Sequence, residues 1–342
     1  MKDIIIRQLL KFNGTRRILF SLLKLRNSRK NDFLLGESFR RKSLSIFEYG
    51  KLAKNIPAGY FLPNGDIQLY GFYHTLLQYV NKKSLPYNIA NEHGFIFSSF
   101  VHKHFTYYDK ILTFSDFRGK YLAKIYPSIK ILKVGPYIHY AKPLLTEIYH
   151  AQLKEELGRI LLVFPFHSID GVLSDFDSEE FLAIIDEKRN GFDTVMVCLY
   201  FKDILLGRDK KYTDKGYKVT TAGHINDAFF LNRLKSIIEL SDAIISNEVG
   251  SYIAYAHYLK KNIQLVRQKT TFCDEDGQEN NTNKKAMADI SKHWDEYELI
   301  QDVLFRILNG DAINSDDQEY LNNLFGFKYI KTSDELCRSL NI

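Results

Sequence analysis

Four short polar clusters in this chain each follow an apolar run, and their residue types suit chemistry on an anionic group. The first is NEHG, Asn91 to Gly94, where Glu92 stands beside His93. A carboxylate next to an imidazole suits a general base, and Gly94 lets another backbone approach closely. The second, FPFHSIDG, puts His167 and Ser168 just past a buried run. An imidazole can donate to a phosphate there, and a hydroxyl with backbone N–H groups at a following helix start completes an anion site. The third, TTAGHIND, carries Gly223 and His224 ahead of Asn226 and Asp227, which read as the N-cap pair of the next helix. The fourth, ISNEVGS, surrounds a helix start with Ser246, Asn247, Gly250 and Ser251. One residue suffices for a cap, so the surplus favours a phosphate cradle. Glu248 would repel a phosphate, so it should turn away or take a sugar or ribose hydroxyl. Each cluster also has a plainer reading as a turn or cap.

Several chemistries lack their residues. There is no GxxxxGK[ST], no GxGxxG and no GxSxG. No carboxylate cluster has metal-ligand spacing; DEDG, Asp274 to Gly277, reads as a solvated loop that would hold a cation weakly. The expectation is therefore no metal and no bound cofactor. Three cysteines without paired spacing argue for a reducing compartment and against a zinc knuckle or disulfide framework.

The clusters need elements to hold them, and the pattern supplies strands alternating with helices. RILLVFPFHS is apolar on both faces, as central parallel strands are. Ser178 is expected to cap SEEFLAIIDEKRNG, with Glu179 and Glu180 in its first turn and Gly191 at its end. Gly158 reads as the stop of a helix over 144–157. The fold class predicted is α/β, with two Rossmann-like doubly wound domains facing across a cleft. The expected partition is a basic amphipathic segment at 1–31, a first domain at 32–143, a linking helix at 144–157 and a second domain with terminal helices at 158–342. Ligands in such sheets bind outside the carboxyl ends of strands, where three of the four clusters would line one crevice.

The net charge of +6 is concentrated at the start of the chain. Residues 1–31 carry Lys2, Arg7, Lys11, Arg16, Arg17, Lys24, Arg26, Arg29 and Lys30 against Asp3 alone, with apolar clusters between them. No apolar run reaches the about 18 residues needed to span a bilayer. The segment reads either as helices packed on the body or as an interfacial helix drawn to anionic lipid. Nucleic acid is not an expected partner, because the basic residues do not recur with stacking aromatics.

The block Tyr217 to Val266, YKVTTAGHINDAFFLNRLKSIIELSDAIISNEVGSYIAYAHYLKKNIQLV, resembles the donor half of GT-B-type bacterial glycosyltransferases of capsule and lipopolysaccharide (O-antigen) assembly. His93-Gly94 and VGPYIHYA, Val134 to Ala141, resemble the same group. The resemblance covers roughly residues 88–266. It implies a nucleotide sugar, CMP- or UDP-linked, held mainly by the second domain. It also implies a glycan or lipid-linked acceptor, and a cytoplasmic location peripheral to the inner face of the cell membrane. Bacterial sialyltransferases of this fold are distantly similar. Carried over from them, Glu92 and His93 match the base region, His167 the phosphate donor, and Ser246 and Ser251 the serine motif. Ser168, Gly223, His224, Asn247 and Gly250 would complete the donor site, with Tyr137 and His139 at the cleft. The chain departs from that family at Ser168, where a proline is usual, at His93, where a second acid is usual, and in serines that are not adjacent. The expected function is metal-independent sugar transfer. Two alternatives stay open: a nucleotide-sugar epimerase of the same fold, and a non-catalytic scaffold of a polysaccharide assembly complex.

Overall fold

The computed structural model describes residues 12–26, 28–57, 66–102, 105–168, 172–274, 294–310 and 312–342. Its organising unit is the sheet built from the apolar runs of the second half. β4 (Ile160–Phe164) is buried along its whole length. Around it lie β6 (Thr194–Cys198), β7 (Lys218–Thr220), β8 (Ala243–Ser246) and β9 (Asn262–Leu265), in the order β7-β6-β4-β8-β9 with every pair parallel. Both faces are covered, and the pleat divides β4 between two cores. Ile160, Leu162 and Phe164 join the core of α10 (Phe230–Leu240) and α11 (Ser251–Tyr258). Leu161 and Val163 join Phe181, Leu182 and Ile185 of α7 (Ser178–Lys188) on the other side. Strand order reverses between β4 and β8, which is where open parallel sheets bind ligands.

The first half has a smaller parallel sheet of β1 (Ile89–Asn91), β2 (Lys110–Thr113) and β3 (Lys130–Lys133), in that order. It is preceded by α1 (Asn13–Arg26), α2 (Ser28–Lys42), α3 (Tyr49–Leu52) and α4 (Phe72–Tyr79). α5 (Asp116–Ile125) connects β2 to β3, and α6 (Glu147–Leu157) leads to the second sheet. α6 stops at Gly158 as predicted. With φ at +63°, a Cβ there would collide with the Asp193 carboxylate, so only glycine fits. The α/β class and the two parallel sheets match the expectation. Two further short helices, α8 (Phe201–Leu205) and α9 (Lys210–Thr213), follow β6, and β5 (Val172–Phe176) pairs antiparallel with β10 (Thr270–Asp274).

Contacts run across the expected partition at both ends of the chain. Thr220 donates to the Ile46 carbonyl at 2.7 Å, His224 N to the Leu52 carbonyl at 3.1 Å, and Ala53 sits in the second sheet's core. Beyond α12 (Trp294–Leu308) and α13 (Ser315–Phe325), α14 (Ser333–Leu340) returns to the first sheet, where Lys110 Nζ donates to the Ser339 carbonyl at 3.0 Å.

Two helix starts differ from the sequence reading. Asp177 caps α7 by accepting the Glu180 N–H at 3.0 Å, and Ser178 is already helical. A carboxylate at this position also suits the helix dipole. α10 begins at Phe230, three residues after Asp227, whose carboxylate accepts the Phe229 N–H and pairs with Arg233 at 3.0 Å, both side chains fully buried.

Candidate active site

At the order reversal, the loops leaving β4 and β8 lie side by side. His167 is half-buried, with Nδ1 3.2 Å from the Ser168 carbonyl and its ring 4.6 Å from that of Tyr200. Glu248 projects from the neighbouring loop into the same place. Burial lifts its carboxyl above the usual range, against the opposing charge and backbone hydrogen bond of His167. Its Oε2 is buried and has no hydrogen-bond partner. Its carboxylate accepts a backbone hydrogen bond from His167 in the loop leaving β4.

The serines and asparagine beside it do structural work instead of facing solvent. Ser246 is fully buried. Its Oγ accepts the Glu248 N–H at 3.1 Å and lies 2.7 Å from the Phe164 carbonyl and 2.9 Å from Tyr252 Oη. A hydroxyl so engaged cannot also hold a phosphate, which corrects its expected role. Asn247 Oδ1 accepts the Phe166 N–H and its Nδ2 donates to Gln268, each at 2.7 Å, so it braces the two exit loops. Ser168 is buried under Arg208 and Ser174, its Oγ 3.0 Å from Arg208 Nη1, and is corrected likewise.

Gly250 is the N-cap of α11 and makes no side-chain bond to it, and Ile253 N–H donates to the Gly250 carbonyl at 3.0 Å. Ser251, the first helical residue, reaches across to the other half. Its Oγ accepts the Phe95 N–H at 2.7 Å. A Cβ on Gly94 would stand 2.9 Å from that Oγ, so the NEHG loop and the ISNEVGS loop touch directly. Two of the four clusters chosen from the sequence thus meet at the carboxyl edges of two different sheets.

Within NEHG the two chemical residues part ways. Glu92 is fully buried and both oxygens are occupied: Arg118 Nη2 lies 2.5 Å from Oε1 and Nε 3.2 Å from Oε2, and Thr113 donates to Oε2 at 2.6 Å. Arg118 also holds the carbonyls of Ser98 and Phe100. A carboxylate spoken for on every side does not abstract a substrate proton, which corrects the base assignment for Glu92. His93 is half-buried at the surface of the same loop, its ring centroid 5.9 Å from Tyr70 and 5.7 Å from His102. Tyr70 itself is held at the seam between the halves, its N–H 2.7 Å from the Ile225 carbonyl. Gly71 beside it, at φ +68°, has no room for a Cβ because the Ala228 carbonyl occupies that space.

Tyr137 and His139, expected at the cleft, are both held by protein partners. Tyr137 is buried, stacks on Phe72 at 3.9 Å, and donates to the Glu92 carbonyl at 2.9 Å; it supports the NEHG loop from beneath. His139 is bracketed by Tyr258 Oη at 2.7 Å and Tyr79 Oη at 3.2 Å, and burial lowers its pKa. His224 is buried against Phe201 at 4.3 Å, and burial with the Arg41 charge lowers its pKa to about 4, so it is neutral near pH 7. Gly223, at φ +103°, makes room for the Arg233 guanidinium 2.8 Å from where a Cβ would be. Both belong to the support of the β7 exit.

The sequence reading missed Tyr200, Tyr70 and His102 as neighbours of the two histidines. Tyr200 directly follows the β6 strand and its Leu199, so strand-exit position was the available signal. Of DEDG, residues 275–277 lie outside the described residues. Among the described residues, no group of three or more His, Cys, Asp or Glu side chains could hold a metal.

No protein-family model and no curated protein sequence matches the chain. Among solved structures it is similar to a glycosyltransferase from Rickettsia africae, at 12% identity over 74% of this chain and 64% of that one, with a TM-score of 0.30. It is also similar to the pneumococcal O-GlcNAc transferase GtfA in complex with UDP and GlcNAc, at 10% identity over 69% of this chain and 45% of that one, with a TM-score of 0.31. The chain spans less than two thirds of the length of either, and overlap at this level carries no functional argument.

Proposed function

We propose that this protein transfers a sugar from a nucleotide-sugar donor, CMP- or UDP-linked, to a glycan or lipid-linked acceptor of cell-surface polysaccharide or lipopolysaccharide. The observation that carries the reading is the meeting of the two sheets' carboxyl edges, where Ser251 at the start of α11 bonds the loop that bears His93. A donor phosphate at the start of α11 would be stabilised by the N–H groups of Ser251 and Tyr252, the Ser251 hydroxyl and His167. These groups place positive potential where the leaving phosphate gains charge, so the proposal needs no metal. Glu248, with one oxygen unpartnered, is suited to accept from a hydroxyl of the sugar or ribose. His93 would take the acceptor proton, the role that Glu92 cannot fill. The proposed location is the inner face of the cell membrane.

A thermal-shift panel of CMP, UDP and GDP with their sugars tests the donor site. A binding nucleotide at a hundredfold excess over Kd stabilises by about 2.7 kcal/mol. A panel without any shift sinks the reading. Among hits, acceptor-dependent turnover that His93→Ala abolishes supports transfer, whereas turnover without acceptor points to epimerisation. Intact function in His93→Ala and His167→Ala would indicate a scaffold.

A further inference from the structure

α1 carries two apolar faces, and the body of the protein uses one of them. Leu19 packs against the main core, and Arg16 is buried against Asp109 at 2.9 Å, just ahead of β2. On the side of the helix away from Arg16, Ile18, Leu22 and Leu25 are 63%, 58% and 73% exposed. Their spacing of four and three residues places them in one stripe along the helix. Three large aliphatics aligned in water on a helix already anchored by its other face mark an interaction surface. Beyond the stripe, Arg26, Arg29 and Lys30 are exposed at the turn into α2, and Phe33 is 60% exposed. α2 also has its inward face filled, by Asn31, Leu34, Ser38 and Arg41.

We propose that the Ile18–Leu22–Leu25 face of α1 docks on an anionic lipid surface, sinking into the headgroup boundary while Arg26, Arg29 and Lys30 meet the phosphates. Charge decides the occupant. The exposed charges beside the stripe, Arg26, Arg29 and Lys30, are all basic, so a second copy of this face would set like charges against one another. A lipid surface rewards both the stripe and the charge. No described helix is long and apolar enough to cross a membrane, so α1 lies on the surface. The Arg16–Asp109 pair then holds the first sheet to the docked helix. The proposal is independent of the donor chemistry.

The test is flotation of the full chain with vesicles of phosphatidylglycerol and phosphatidylethanolamine, or of phosphatidylcholine alone. Wild type should float with the anionic vesicles, less as salt is raised, and not with phosphatidylcholine. The triple variant Ile18→Ser, Leu22→Ser, Leu25→Ser should lose at least about tenfold in partitioning, with its thermal unfolding little changed because these side chains are mostly exposed. Arg26→Glu with Arg29→Glu and Lys30→Glu should abolish the preference for anionic lipid. Failure of wild type to float overturns the proposal, as does a triple serine variant that floats equally well. A wild-type dimer in sedimentation that the serine variant dissolves would reassign the face to self-association and overturn it too.

Discussion

Two glutamates in this protein follow the carboxyl ends of parallel strands, and their surroundings are opposite. Glu92, past β1, is enclosed by Arg118 and Thr113, with no oxygen free. Glu248, past β8, is half-buried, yet its buried Oε2 has no partner and burial pushes its carboxyl up. Burying a charge is costly unless it is paired and hydrogen-bonded. The first glutamate meets that requirement and serves the fold. The second meets it only in part, through His167, and leaves Oε2 without a partner. Residue type and strand-exit position were the same for both, so the difference lies wholly in what surrounds each one.

The comparison can be broken most readily at its locked end. Arg118→Ala strands the Glu92 charge in the interior and frees two loop carbonyls, so urea unfolding should show a loss of about 3–5 kcal/mol. An unchanged midpoint would mean that the pair is not a lock. At the open end, Glu248→Gln should leave stability within about 1 kcal/mol of wild type while weakening nucleotide binding about tenfold. Titration calorimetry with the best nucleotide of the panel reads this, and equal affinities would remove Glu248 from the site. Ser251→Ala deletes the acceptor for Phe95 N–H that joins the two ends. It should cost about 1 kcal/mol. The smallest effect is a slope with pH. Because the folded-state pKa of Glu248 is raised above 4.5, its contribution is present below that pH and fades as pH rises through the higher folded value. The difference in stability between wild type and Glu248→Gln should therefore move in favour of wild type as pH falls toward 4.5.

Much of the fold was readable because parallel strands buried on both faces leave continuous apolar runs, as RILLVF does. The stop at Gly158 was readable because a positive φ beside another side chain admits only glycine. The exit loops were located for the same reason, and two of them do meet. Which residue in each loop is tied up by the fold was not readable. Glu92 is disarmed by Arg118, 26 residues away on α5, and Ser246 by a carbonyl on β4, 82 residues away. Pairings of that range depend on strand order, which local pattern does not encode. The cap at Asp177 was missed because two adjacent residues, Asp177 and Ser178, both have the right chemistry, and backbone geometry chose between them. The return of α14 to the first sheet left no mark in its own amphipathic pattern, which says that a face is buried but not against what.

The crossing of both chain ends has a consequence for how this protein comes apart. Residues 46–56 close over the second sheet, and residues from 326 onward close over the first: a Cβ on Gly326 would strike the Phe114 carbonyl, and Tyr79 donates to the Lys331 carbonyl at 2.9 Å. Each half is therefore roofed by chain borrowed from the other's end, like a parcel tied with one string. Severing the peptide between the two sheets would yield no self-sufficient piece, but two fragments that fold only in each other's company.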